Sequence, residues 1–536
     1  MQKLLLLGDE AIAQGALDAG ISGIYAYPGT PSTEITEFVQ NSKSAHDHHV
    51  HSAWSTNEKT AMEAALGMSY AGKRAMVCMK HVGLNVAADP FINSAITGAN
   101  GGLIVVSADD PSMHSSQNEQ DSRVYGKFAL VPILEPGNQQ EAYDMVHYGF
   151  DFSEKYRVPV LMRITTRMAH SRSGVVRRAA RPQNELRMPS DLRQFVLLPS
   201  IARKRYKNLL HDHKDFILES ESSPFNTYID GPDKSMGIIV CGLAFNYLME
   251  NYPDRHVPFP VLKIGQYPMP RSLVEKMADE CDQILVIEDG YPVVEELIKG
   301  YLGRGLKIKG RLDGTLPRDG ELNPNLVALA LGLKDTYGLP VPELVVGRPP
   351  SLCSGCPHID SYNALNEALS GLPRGRVFSD IGCYTLGALK PYESINSCVD
   401  MGASITMAKG AADAGMVPAV AVIGDSTFTH SGLTGLLDAI NGESPITVMI
   451  LDNGTTAMTG GQDSAAMGRI EDICKGLGVD ESHIRIIKPL RKYHEENVKI
   501  INEELAHPGV SVIIPRRECI VAIDKRMRDK FKTKKA

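Results

Sequence analysis

A chain of 536 residues is longer than one hydrophobic core usually supports, so about two to four domains are expected. Its 43% apolar and 22% charged residues are those of an ordinary globular protein, and a formal charge of −7 argues against a general nucleic-acid or membrane-surface binder. The apolar run within Met1–Gly8 is too short for a signal-peptide core, no stretch approaches the roughly 18 apolar residues of a membrane span, and the nine cysteines do not form a small secreted frame, so a soluble cytoplasmic protein is expected.

Short apolar, β-branched runs alternate with helix-length amphipathic segments. In the first third the predicted strands are Gly23–Tyr27, Arg74–Met79, Gly102–Ser107 and Val158–Ile164, with helical patterns at Glu58–Tyr70 and Glu141–Phe152. From about Thr165 to Ser235 the pattern breaks into a basic, proline-containing connection with some helix, as at Arg203–His211. Its charge reads as a solvated or subunit-facing surface. Alternation resumes at Met236–Cys241, Phe259–Ile264 and Gln283–Glu288 and ends near Leu333. Residues 334–351, with Pro340, Pro342, Pro349 and Pro350, read as a linker. A third unit runs from Leu352 to Ile523, and the basic tail Asp524–Ala536 is expected to fray. The fold class is α/β, with parallel sheets covered by helices.

Ala419–Ile423 is a buried-strand run ending in Gly424-Asp425-Ser426, and the helix-like Gly432–Ile440 follows it. A second strand, Ile446–Leu451, ends in Asp452-Asn453-Gly454-Thr455. Both polar clusters lie at C-terminal strand ends, where open α/β sheets bind ligands. Gly424 lets the backbone approach a phosphate, and the helix start favours an anion. Asp425 and Asn453 supply side-chain oxygens for Mg²⁺, and a loop carbonyl such as that of Thr455 a third. A lone Gly-Asp after a strand is usually a turn with an N-cap; the second cluster about 25 residues on lifts the pattern above that. It resembles the thiamine-diphosphate motif that opens Gly-Asp-Gly and closes with Asn, with Ser426 in place of the third residue. Thr459-Gly460-Gly461-Gln462 follows, as in the 2-oxoacid:ferredoxin oxidoreductases.

Cys353-Ser354-Gly355-Cys356-Pro357-His358 holds a C-x-x-C. Cys383 follows Asp380-Ile381-Gly382 after a strand at Arg376–Ser379, and Cys519 follows the last strand, Val510–Ile514. Four thiolates from three loops suit a [4Fe–4S] cluster; a Cys₄ zinc site or unligated core cysteines are the alternatives. Cys78, Cys241, Cys281, Cys398 and Cys474 read as core residues. Glu58 opens its helix, where the residues alone indicate a first-turn glutamate favoured by the dipole. His81 and Asn85 follow a strand end, and His81 reads equally as an active-site group or a structural histidine. Arg123 is a weaker candidate for a 2-oxoacid carboxylate.

Nearly the whole chain resembles the α subunits of indolepyruvate:ferredoxin oxidoreductases. The resemblance rests on Tyr27-Pro28-Gly29-Thr30-Pro31-Ser32, Lys80-His81-Val82-Gly83-Leu84-Asn85, Cys353–His358 and Asp425–Gln462. It implies three doubly wound parallel-sheet domains of the thiamine-diphosphate-enzyme type. These are a pyrimidine-binding domain at 1–165, a connection at 166–235 and a transketolase C-terminal-like α/β domain at 236–333. The linker 334–351, a thiamine diphosphate/Mg-binding domain with the cysteines at 352–523 and the tail 524–536 complete it. The resemblance further implies that Glu58 bonds the aminopyrimidine N1′ from an apolar wall, where a carboxyl pKa rises. Thr30 would line the substrate pocket, and His81 is kept as a candidate catalytic group. Gly382, Gly424, Asp425, Ser426, Asn453 and Thr455 would hold the cofactor, and Cys353, Cys356, Cys383 and Cys519 one [4Fe–4S] cluster.

The implied reaction is oxidative decarboxylation of an arylpyruvate-like 2-oxoacid, with coenzyme A taking the acyl group and electrons leaving through the cluster. The family's α subunits often continue into a ferredoxin-like domain with two C-x-x-C-x-x-C runs. The sequence stops soon after Cys519, so electrons are expected to leave through a partner subunit or a soluble ferredoxin. A small β subunit and a hetero-oligomer built on an α dimer are implied as well. The rival readings are a non-oxidative thiamine-dependent decarboxylase or carboligase and a non-catalytic thiamine-binding subunit.

Overall fold

The computed structural model describes residues 3–533 apart from 190–193, 301–306, 335–340, 348–349 and 399, so Pro340 and Pro349 of the expected linker lie outside the described residues. The chain forms two compact units, Met1–Pro340 and Val341–Ala536.

The first unit contains two large sheets. Across the seven-stranded one the order is Gln266–Tyr267, Ile133–Leu134, Val160–Thr165, Leu103–Asp109, Ala75–Lys80, Gly23–Ala26 and His51–Trp54. All pairs are parallel except the first, which is antiparallel. Leu103–Asp109 is buried throughout, its apolar start Leu103–Val106 as a doubly covered sheet requires and its end Asp109 paired with Arg163. The five-stranded sheet runs Lys307–Lys309, Gln283–Ile287, Gly237–Cys241, Val261–Ile264 and Thr227–Ile229, with the last strand antiparallel. Gln266–Tyr267 lies just past the end of Val261–Ile264 in the chain and joins the edge of the seven-stranded sheet, so one continuous core serves both sheets.

The helix Glu58–Tyr70 has the predicted bounds. Asn57 caps it, its side chain accepting from the Thr60 N–H at 2.8 Å. Ala61, Met62, Ala65, Leu66 and Ser69 face inward at helical spacing, and the chain leaves through Gly72 at φ +91°.

The expected connection 166–235 is more ordered than its composition suggests. Arg172–Val176 pairs antiparallel with Lys3–Leu7, a partner more than 160 residues away that no local pattern reveals. The helix expected at Arg203–His211 spans Pro199–Glu221; its buried residues are only Leu209, Phe216 and Ser220, which is why its apolar face is faint in sequence.

The second unit holds a wholly parallel five-stranded sheet, in the order Val377–Ser379, Ala419–Gly424, Ile446–Leu451, Ser511–Pro515 and Ile484–Ile487. Alternate residues feed two cores. Ala419, Ala421, Ile423, Val448 and Ile450 enter one, while Val420, Val422, Met449 and Leu451 enter the other. The tail does not fray at Asp524: a helix runs Ile520–Thr533, and Lys525 donates to the Gly460 carbonyl at 2.7 Å. Residues 534–536 of that expected tail lie outside the described residues. Among the described residues no helix is long and apolar enough to cross a membrane.

Candidate functional site

In the second unit the two polar clusters meet across neighbouring parallel strands. The helix expected from Gly432 begins earlier, at Asp425, passes through one π turn at Phe428–Gly432 and continues to Asn441. Asp425 is 2% exposed. One of its oxygens accepts from the Ser426 N–H and the other from the Gly454 N–H, each at 2.8 Å, which ties the first strand end to the second. Burial, reinforced by the neighbouring Asp452 carboxylate, pushes Asp425 up to about 7. Asp452 itself is held by Arg516 at 2.6 Å.

Asn453 accepts from the Thr455 N–H at 3.0 Å through its side-chain oxygen. The Thr456 hydroxyl meets the Ser426 hydroxyl at 3.0 Å, so the residue that departs from the Gly-Asp-Gly pattern joins the two clusters. The Thr-Gly-Gly-Gln run closes on itself, the Gln462 amide donating to the Thr459 carbonyl at 2.7 Å, and is tied back to the asparagine loop by Thr455, whose hydroxyl donates to the Gln462 carbonyl at 2.9 Å. At Gly424 and Gly382 an added Cβ would fall 2.6 and 2.2 Å from the Tyr384 ring, so both glycines make room for that ring. Tyr384, which the sequence reading missed, carries no motif; only the folded chain places it there.

Cys353, Cys356, Cys383 and Cys519 line one cavity of about 120 Å³, together with Leu352, His358 and Asn453. Cys353 is exposed, Cys383 half-buried, and the other two buried. The Cys519 N–H donates to the Asn453 carbonyl at 3.2 Å, and the Asn453 amide reaches His358 Nε2 at 3.4 Å. The cysteine cavity and the carboxylate-asparagine cluster therefore share Asn453. Burial, with the neighbouring cysteines adding to it, pushes the Cys356 thiol up to about 11 and Cys383 up to about 12. Thiols so placed become thiolates when a cation compensates them. Among the described residues no three of these sulfurs lie within 4.8 Å of one another. His358, which follows the C-x-x-C and Pro357, is buried and pushed down to about 4 by that burial. Of the cysteines read as core, Cys78, Cys241, Cys281 and Cys474 are buried, whereas Cys398 is exposed: it sits in a loop outside any strand or helix.

In the first unit Glu58 is 5% exposed. Gly83 packs on its carboxyl; a Cβ there would stand 2.6 Å from Glu58 Oε1, a contact no sequence pattern announces. The short helix His81–Val86 thus lies against Glu58. His81 is 1% exposed and donates from Nε2 to the Asn118 carbonyl at 3.1 Å, while its buried Nδ1 has no hydrogen-bond partner. Asn85 instead faces outward and bonds Gln120 at 2.7 Å. The Thr30 carbonyl receives the Ser115 hydroxyl at 3.5 Å, and Lys80 reaches the Ser115 carbonyl at 3.2 Å. Burial lowers the Lys80 pKa against the pull of Asp110 and Glu58.

Arg123 is not placed for a substrate carboxylate. It is 1% exposed and bonds Asp121 at 2.6 Å, Glu288 at 2.9 Å and the Tyr291 carbonyl at 3.0 Å, so its charge is consumed inside the unit.

Comparison with known proteins accords with this geometry. A family described as pyruvate flavodoxin/ferredoxin oxidoreductase, thiamine diP-bdg, matches residues 14–195. One described as thiamine pyrophosphate enzyme, C-terminal TPP binding domain, matches residues 380–513. The indolepyruvate oxidoreductase subunit IorA of Archaeoglobus fulgidus is 39% identical over 97% of this chain and 87% of its own length. That of Methanothermobacter thermautotrophicus is 38% identical over 97% and 87%. Among solved structures, a 2-oxoglutarate:ferredoxin oxidoreductase from Magnetococcus marinus shares the fold, with TM-score 0.50 and 15% identity over 62% of this chain and 65% of that one. The chain therefore belongs to the indolepyruvate oxidoreductase subunit IorA family, among the thiamine-diphosphate-dependent 2-oxoacid oxidoreductases.

Proposed function

We propose that this chain carries out the oxidative decarboxylation of arylpyruvate-type 2-oxoacids to acyl-coenzyme A, passing electrons to a ferredoxin or a partner subunit. The observation that carries the reading is the sharing of Asn453 between the Asp425 cluster and the four-cysteine cavity. Thiamine diphosphate, when bound, supplies the nucleophilic carbon and electron sink for decarboxylation, and a [4Fe–4S] cluster supplies a one-electron acceptor.

The chain's own residues have these roles in the reading. Asp425 and Asn453 offer oxygens to Mg²⁺, with the Thr455 carbonyl as a third, in the few-oxygen set that Mg²⁺ takes beside phosphate. The buried Asp425 favours such a cation because its ionised form has a carboxylate neighbour. Ser426, Gly424 and Gly382 shape the diphosphate side. Cys353, Cys356, Cys383 and Cys519 hold the cluster. Glu58 exchanges a proton with the aminopyrimidine N1′, and Gly83 leaves room for its carboxyl. Thr30 lines the 2-oxoacid pocket, and His81 offers its buried Nδ1 as a proton acceptor. Aryl preference is supported by the name borne by the relatives, and the word subunit in that name supports a further chain; in the reading that chain is a small β subunit in a cytoplasmic hetero-oligomer built on an α dimer.

The test is anaerobic purification with the small subunit, then a 2-oxoacid panel with coenzyme A and a viologen dye. Coenzyme A-dependent dye reduction should be fastest with arylpyruvates and fall about a hundredfold or more in Glu58→Gln and Asp425→Asn. Release of CO₂ without dye reduction would replace the reading with non-oxidative decarboxylation; absence of any turnover would leave a cofactor-binding subunit.

A further inference from the structure

Three helices of the first unit bring Asp9, Glu34 and His170 together, and none of these residues has a part in the reaction above. Asp9 lies in the first turn of Gly8–Asp18, Glu34 in the first turn of Thr33–Gln40, and His170 ends the short helix Thr166–His170. One ligand atom from each lies within 4.8 Å of the other two. His170 Nε2 stands 3.6 Å from Glu34 Oε1, and both side chains are 37% exposed, so the cluster opens to solvent on that side.

Its floor is unusual. Asp9 is wholly buried; no N–H or hydroxyl of the chain donates to its carboxylate oxygens, and the one side chain within hydrogen-bond reach of them is the Glu34 carboxyl. A buried, unpaired carboxylate is costly, and a second carboxylate beside it raises the cost. Burial and then the Glu34 charge hold the Asp9 pKa well above the usual carboxylate range. The charges acting on Asp9 from nearby, those of Glu34 and Glu10, are both negative.

We propose that Asp9, Glu34 and His170 form a binding site for a divalent transition-metal ion of the Mn²⁺, Fe²⁺ or Zn²⁺ kind. Two carboxylates and an imidazole are a ligand set for such borderline ions, and the exposed side leaves positions for water. The ion would satisfy both Asp9 oxygens and pin the start of Thr33–Gln40 to the other two helices. That start is continuous with the Tyr27–Ser32 loop: Thr33 Oγ1 accepts from the Gly29 N–H at 3.0 Å, and Ser32 Oγ donates to the Gly29 carbonyl at 2.8 Å. The bound ion therefore fixes the loop that carries Thr30.

The test uses the full chain, EDTA-treated under anaerobic conditions and free of thiamine diphosphate, in an Asp425→Asn background so that the other carboxylate site does not contribute. Mn²⁺ uptake is read from loss of the free-ion EPR signal, and thermal unfolding is followed in parallel. One Mn²⁺ per chain is expected, with a rise in Tm. Glu34→Gln and His170→Ala, substitutions at partly exposed positions that leave the fold intact, should each weaken uptake about tenfold or more and remove the Tm rise. Equal uptake by the parent and both variants would overturn the proposal. So would no uptake at millimolar Mn²⁺, which would leave Asp9 and Glu34 sharing a proton.

Discussion

Buried charge is handled in opposite ways at the Arg123–Arg163 core of the first unit and in the Asp425–cysteine pocket of the second. In the first, Arg123 and Arg163 are inaccessible and face Asp109, Asp121, Glu135 and Glu288. Burial pushes Asp121 up, but the pull of Arg123 and Arg163 outweighs it and the carboxyl sits at about 2. Burial keeps Asp109 and Glu288 raised even so, despite their arginine partners. In the second unit Asp380 and Asp425 are as deeply buried and both are pushed up to about 7; the charge that acts on Asp425 is one more carboxylate. The thiols of Cys356 and Cys383 are driven up alongside. A core that supplies its own arginines pairs its buried carboxylates from within the chain. A pocket that gathers carboxylates and thiols without arginines is where a bound cation would be stabilised, and that difference distinguishes the two regions.

Arg163→Met gives the largest effect on this contrast. It leaves Asp109 and Glu135 buried without their partner, and unfolding in denaturant should show a loss of about 3–5 kcal/mol. A loss below about 1 kcal/mol would mean that the network does not carry the charge balance assigned to it.

Asp380→Asn should act in the opposite direction and more weakly. Asp380 accepts from Ser404 through one oxygen and from Tyr384 through the other; an asparagine oxygen can keep the first bond, and its amide can donate to the Tyr384 hydroxyl, which in turn reaches the Ile381 carbonyl at 3.1 Å. Its folded pKa of about 7 exceeds the ordinary 3.8, so ionisation opposes folding. Wild-type stability should therefore fall, relative to the variant, as pH rises from about 4 to about 7, and the gap should vanish below about pH 4. At neutral pH the variant should gain about 1–4 kcal/mol, at about 1.4 kcal/mol per pKa unit. Parallel pH–stability curves for the two proteins would break the contrast.

What was legible in the sequence follows the same division. Ile446–Leu451 and Glu58–Tyr70 have their predicted bounds, because a continuous apolar run and a capped, periodic one are local signals. That the strand ends carrying Asp425 and Asn453 meet was legible because the two residues close neighbouring strands in one short span. Arg123 was not, since Glu288 and Tyr267 stand 165 and 144 residues away and only the fold brings them to it. Gly83 beneath Glu58, and Asp9 with Glu34 and His170, escaped for the same reason. Each depends on separate elements converging, and no spacing records that.

The most direct measurement of the central claim is iron and acid-labile sulfide per chain after anaerobic purification, in the wild type and in Cys383→Ser. About four irons per chain, reducible by dithionite and depleted in the serine variant, is the predicted result. Stoichiometric zinc, or no metal at the four cysteines, would contradict it.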